Sequence, residues 1–164
     1  LVEPCLRFTD LLSIDFRSIK ASELDFIHNY PNGFESSQIC SISRYAGMSN
    51  RISSMGVFEV FNNTISSALL AQTVWYFVEG YCLRIKEDPK SKNFKGKCFH
   101  VSLGNQEVKF YNSDLSQKWW FELSNESNKV VDFALIPCNY DDYLSACNDN
   151  ISDKLLLSLK RNFI

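Results

Sequence analysis

Two carboxylates stand where apolar runs end, and their placement is what could do chemistry in this chain. Glu59 falls near the end of the run Met55 to Phe61, which Gly56 and the Asn62-Asn63 pair bracket, and Asp15 closes the run that begins at Leu11-Leu12-Ser13-Ile14. Both runs are rich in strand-forming side chains. A parallel strand delivers the residues at its carboxyl end to a crevice, where a carboxylate can hold a metal ion or the cationic group of a substrate. Spacing alone leaves a second reading open for each: Glu59 as a strand-end carboxylate turned to solvent, and Asp15 as a capping or turn residue ahead of Arg17-Ser18.

The elements that must position these groups follow from the apolar periodicity. From Ile65 to Ile85 apolar residues fall on nearly every face, which predicts a long and largely covered helix with Asn62 or Asn63 as its cap. Glu35 to Tyr45 keeps the spacing of one apolar helical face, and Gly47 supplies a stop. Between the first strand and this helix, residues 19–33 are polar and irregular and close with Tyr30-Pro31-Asn32-Gly33, a turn signal. Such a loop is long enough to cover a site. Strand, loop, helix, strand, helix is the alternation of a parallel sheet with helices packed against it.

The character changes after Ile85. Asp88-Pro89-Lys90 to Gly96 reads as a polar linker, and strands are predicted over Cys98–Leu103, Glu107–Tyr111 and Lys118–Leu123. Gly104-Asn105 is a hairpin signal, Asn112 to Ser116 a turn, and Val130 to Ile136 a fourth apolar run ending at Pro137. This half is predicted to be antiparallel. Trp119-Trp120 invites a stacking role on sugars or bases, but neighbours in a strand face opposite sides, so at least one of the pair is expected to pack on the core. Asn139 is placed to cap a helix with acidic residues in its first turn, and Asp153 to Asn162 forms a last amphipathic helix that docks on the hairpins.

Composition bounds the function classes. At 164 residues, 45% hydrophobic and 22% charged, the chain is globular and about one domain long. A net charge of -2 and the absence of a basic block argue against nucleic acid or an anionic membrane as partner. The densest lysine group, Lys86 to Lys97, is interrupted by Glu87 and Asp88 and reads as a solvated loop. Six cysteines stand far apart with no Cys-x-x-Cys spacing, which supports no zinc site. The even cysteine count and the sequons at Asn62, Asn125 and Asn150 would permit a secreted, disulfide-bonded protein. Cys40 and Cys82, however, fall in helical patterns where a thiol acts as a small apolar group. A reduced, cytoplasmic protein is the expectation, and Ile65 to Val78 is too short and too polar to span a bilayer. Nothing ties His28 or His100 to a nucleophile, and no glycine-rich phosphate loop is present. The chain opens on Leu1-Val2-Glu3-Pro4-Cys5, which reads like the middle of a larger sequence.

Three pieces, Ser13-Ile14-Asp15, Pro31-Asn32-Gly33 and Gly56-Val57-Phe58-Glu59-Val60-Phe61-Asn62, resemble in order and separation the C-terminal third of the ureohydrolases, the arginase, agmatinase and formimidoylglutamase family. Arg44 to Gly47, Trp75 to Gly80, the Trp119-Trp120 pair and Pro137 to Tyr143 are similar to a divergent, Bacteroidetes-type branch of it. The resemblance implies a fold: residues 1–88 as the C-terminal part of an arginase-like three-layer αβα parallel sheet, and residues 89–164 as a smaller extension of β-hairpins and helix. It also implies roles. Asp15 matches a manganese-binding aspartate, Glu59 matches the glutamate that binds the cationic end of the substrate, and Arg17 stands where the family has a second metal-binding aspartate. The remaining ligand motifs of the family lie upstream, so the expected partners are an upstream half of the same protein and a small guanidino or formimino compound, with a homo-oligomer as the implied assembly. The implied activity is metal-dependent hydrolysis of C–N bonds by a chain inactive alone. The alternative is a non-catalytic binding protein that keeps the arginase fold.

Overall fold

The computed structural model describes residues 2–25, 30–103, 106–123, 135–150, 152–153 and 155–157. It divides into two compact units, Leu1–Lys86 and Glu87–Ile164. His28, the Gly104-Asn105 turn, the sequon at Asn125, the start of the Val130 run and the end of the last helix lie outside the described residues.

The first unit runs α1 (Glu3–Leu6), β1 (Leu11–Asp15), a 3-10 turn over Phe16–Ser18, α2 (Ala21–Leu24), α3 (Ser36–Gly47), β2 (Ser54–Phe58) and α4 (Thr64–Cys82). β1 and β2 pair in parallel, with Leu11 opposite Ser54 and Asp15 opposite Phe58. The predicted alternation therefore yields the predicted parallel pairing. Along β1 burial alternates, so Leu12 and Ile14 reach a core that includes Ile39 and Cys40 of α3 and Leu69 of α4. The segment after β1 is less polar in role than its composition suggests. Ile19 and Leu24 are fully buried, and Ile19 bridges Phe34 so that the two ends of the loop meet.

α3 and α4 cross at two glycines. A Cβ on Gly80 would stand 2.1 Å from the Arg44 carbonyl oxygen, and one on Gly47 would stand 2.2 Å from that of Phe77. Only residues without a side chain allow backbones so close. Arg44 and Glu79 flank the crossing as an ion pair at 3.0 Å, without the alignment of a hydrogen bond. Arg84 closes the end of α3, donating from Nε to the Gly47 carbonyl at 2.7 Å and from Nη2 to that of Ile52 at 3.0 Å. The first bond satisfies a carbonyl that the helix end leaves unpaired, and the second ties the loop before β2 to α4.

α4 differs from its sequence-based expectation. Asn63 caps it as predicted, accepting from the Ser66 backbone N–H at 2.7 Å. The helix is not largely covered, however: Trp75 is 70% exposed, Tyr81 55% and Val78 50%. Cys82, expected to be buried, is exposed, while Cys40 is buried as expected and its thiol pKa is pushed up by that burial. All six cysteines are free thiols. Among the described residues no helix is long and apolar enough to cross a membrane.

The second unit is an antiparallel sheet in the order β3 (Gly96–Leu103), β4 (Gln106–Ser113), β5 (Trp119–Leu123), β6 (Ile136–Cys138), followed by α5 (Tyr140–Cys147). β3 and β4 are longer than predicted because the ladder runs on through polar residues, pairing Gly96 with Ser113 and Leu103 with Gln106. Phe110, Phe121 and Val108 are fully buried on one face, together with Cys138, Ala146 of α5 and Leu155. Asn139 caps α5 in a reciprocal box with Asp142, as its position suggests. Asp153 and Leu155–Leu157 are helical, so the described part of the last helix docks through Leu155. The tryptophans divide between the faces. Trp120 is buried against Phe94 at 6.1 Å, and Trp119 packs against Phe99 at 5.5 Å and Tyr143 at 5.0 Å, two rings that also touch each other at 5.2 Å. Trp119 thus belongs to an aromatic cluster on the core side of the sheet.

Candidate functional site

The parallel register places both carboxylates at one end of the first unit's sheet. Asp15 is the last residue of β1, its partner Phe58 is the last of β2, and Glu59 follows directly. The apolar run places Glu59 within the strand, but β2 ends one residue earlier. Glu59 has φ +55°, so the chain turns left-handed there and leaves the ladder. Its side chain is exposed. A β-carbon in that conformation costs about 1 kcal/mol, which glycine or asparagine avoids. Glu59→Asn is therefore expected to leave the first unit as stable or to raise its stability by up to about 1 kcal/mol in urea denaturation. A loss of stability would show that the Glu59 carboxylate serves the fold.

Asp15 is held by the residue two positions on. Arg17 donates from Nε to both carboxylate oxygens at 3.1 Å, from Nη2 to Oδ2 at 2.6 Å, and from its backbone N–H to Oδ1 at 2.8 Å. The 3-10 turn makes this possible, because it folds Arg17 back over the strand end while Ser18 Oγ donates to the Asp15 carbonyl at 2.6 Å. The guanidinium beside Asp15 holds that carboxyl below its usual range, first through the side-chain bonds and then through the backbone bond. In return Asp15, and after it the negative charge of Glu59, hold Arg17 more firmly protonated. Asp15 thus holds the cation by hydrogen bonds, and Glu59 acts on it only through its charge.

This geometry is a guanidinium seat filled by the chain's own arginine. It does not fit the manganese ion that the resemblance implies. Both Asp15 oxygens already accept from Arg17, and no three His, Cys, Asp or Glu side chains among the described residues are grouped so as to hold a metal ion. The sequence signalled Arg17 as a departure but not the closed turn that lets it chelate a carboxylate two residues away. It also missed the left-handed backbone at Glu59, for which a glutamate gives no local sign.

No protein-family model and no curated protein matches the chain. Among solved structures it is similar to oxidised Trypanosoma cruzi formiminoglutamase with Mn2+, in crystal structures at pH 6.0 and at pH 8.5. In each the identity is 19%, the TM-score 0.42, and the match covers 46% of this chain and 27% of the other. The chain thus spans about a quarter of the length of those proteins.

Proposed function

We propose that this chain is one portion of a ureohydrolase-like hydrolase that cleaves C–N bonds of a guanidino or formimino compound. In this reading it supplies the carboxylate edge that recognises the substrate's cationic end and is inactive without an upstream half of the same polypeptide. The observation that carries the reading is the pair Asp15 and Glu59 at the carboxyl end of two parallel strands, where Asp15 already holds a guanidinium through two-point hydrogen bonds. Planar guanidinium and amidinium groups match carboxylates in two-point hydrogen bonds, as Arg17 and Asp15 do. Glu59, exposed beside them, is the carboxylate available to an incoming cation. Holding such a group in one orientation is the contribution of this edge, and water activation falls to residues outside this chain.

The uncovered surfaces support a further covering layer. Parallel sheets are ordinarily covered on both faces, yet Leu11 and Phe58 are 59% and 56% exposed. Together with the exposed Trp75, Val78 and Tyr81 on α4 they supply the apolar surface that a further layer, as in the three-layer sandwich, would bury.

The test is release of urea or formamide from guanidino and formimino compounds by the full-length natural polypeptide, beside its Glu59→Gln variant. Release that falls at least about tenfold in the variant is the expected result, since a carboxylate orienting the reacting carbon contributes to the rate. No release from either class of compound would overturn the reading. Arg17 gives a second reading its own support: a chain whose metal-side aspartate is chelated by an arginine is suited to be a non-catalytic binding protein with the arginase fold, and the absence of release would favour it.

A further inference from the structure

The face of the antiparallel sheet opposite the apolar core carries a group of side chains that the carboxyl edge does not use. On β3, Cys98 and His100 are two residues apart and so share this face. On β4, Lys109 lies directly across from His100 and Tyr111 across from Cys98, with Glu107 diagonal to His100. The imidazole is gripped at both nitrogens. Its Nδ1 bonds the Glu107 carboxylate, and its Nε2 faces the Cys98 sulfur at 3.8 Å. Cys98 is exposed.

We infer that Cys98, His100 and Glu107 form a thiol-addition site that takes a soft, carbonyl-conjugated electrophile, an α,β-unsaturated carbonyl compound. The order thiol, imidazole, carboxylate is that of a base-activated nucleophile, in which the acid orients the imidazole and the imidazole receives the thiol proton. Activation is needed here. Partial burial raises the Cys98 pKa against the opposing pull of Lys109 and Tyr111, so the resting group is a thiol rather than a thiolate. Tyr111 is itself engaged, donating to Glu122 at 2.6 Å, and Glu122 also pairs with Lys90 at 3.1 Å. His100 is the base within reach.

In the reaction the Cys98 sulfur bonds the β-carbon of the acceptor, the π electrons move onto the carbonyl oxygen, and the thiol proton passes to His100 Nε2. The imidazolium then returns the proton to the α-carbon, so the adduct contains all the atoms of both reactants and needs no oxidant or leaving group. Lys109, directly across from His100 in the register, supplies a positive charge on this face that would stabilise an enolate oxygen.

The test is the rate of addition of N-ethylmaleimide to Cys98 in the whole chain at neutral pH, followed by peptide mass spectrometry, with exposed Cys82 as the internal reference. His100→Ala is expected to slow Cys98 about tenfold relative to Cys82, less than the 10²–10⁴ typical of general bases because Cys98 and His100 are both exposed to water. If the imidazole only covers the sulfur, removing it leaves the rate unchanged or raises it, and either result would overturn the inference. His100→Gln repeats the test with a side chain that keeps a polar group at the position, and the same slowing is expected. His100 is 55% exposed, so neither variant removes core packing.

Discussion

Replacing Gly80 with alanine is expected to remove about 2–4 kcal/mol from the stability of the first unit, a large part of what holds a small domain folded. The new Cβ would stand 2.1 Å from the Arg44 carbonyl oxygen, where even a close C···O contact needs about 3.3 Å. The obstacle is backbone within α3, so the two helices must separate by roughly 1 Å along their contact, loosening the packing of Ile39 and Leu69 beneath. Alanine's better helix propensity returns at most about 1 kcal/mol and does not offset this. Urea denaturation followed by far-ultraviolet circular dichroism is the measurement. An unchanged or higher midpoint would show that α3 and α4 do not cross through Gly47 and Gly80.

Phe110→Ala should have an effect of similar size on the second unit, about 3–5 kcal/mol. The ring is fully buried and packs edge-on against Phe121 at 5.0 Å and Tyr143 at 5.4 Å, so its loss empties the contact between the sheet and α5. The cost has two parts: the transfer of a large apolar side chain, and the cavity that rigid neighbours cannot fill. Trp119 and Trp120 report on this unit directly, and their emission should shift to the red at a much lower denaturant concentration. A loss below about 1 kcal/mol would mean that the core of this unit is elsewhere.

The sequence carried the elements of the fold because period and caps are local. The apolar face of α3, the Asn63 and Asn139 caps and the parallel pairing of β1 with β2 could all be read from spacing. Exposure could not, since Trp75, Val78 and Tyr81 are apolar whether or not another layer covers them. The same limit explains the motif residues. Gly47 and Gly80 belong to stretches singled out by resemblance, and in the structure they serve a helix crossing rather than a site. Asp15 and Glu59 could be placed at one sheet edge, but the chelating turn at Arg17 depends on backbone angles that the residue types do not dictate. Cys98 and His100 had a legible signal, two residues apart on one strand face. Glu107 joins them only through the register of β3 with β4.

The most direct test of the account is the manganese content of the protein beside its Asp15→Asn and Arg17→Asp variants. If the Asp15 carboxylate is committed to the Arg17 guanidinium, Asp15→Asn leaves the manganese content as it is in the parent, whatever that content, whereas Arg17→Asp, which frees that carboxylate and adds a second, raises it. Loss of manganese from the Asp15→Asn variant would contradict the account, because Asp15 would then be a metal ligand and the guanidinium seat would not be the state in which this edge works.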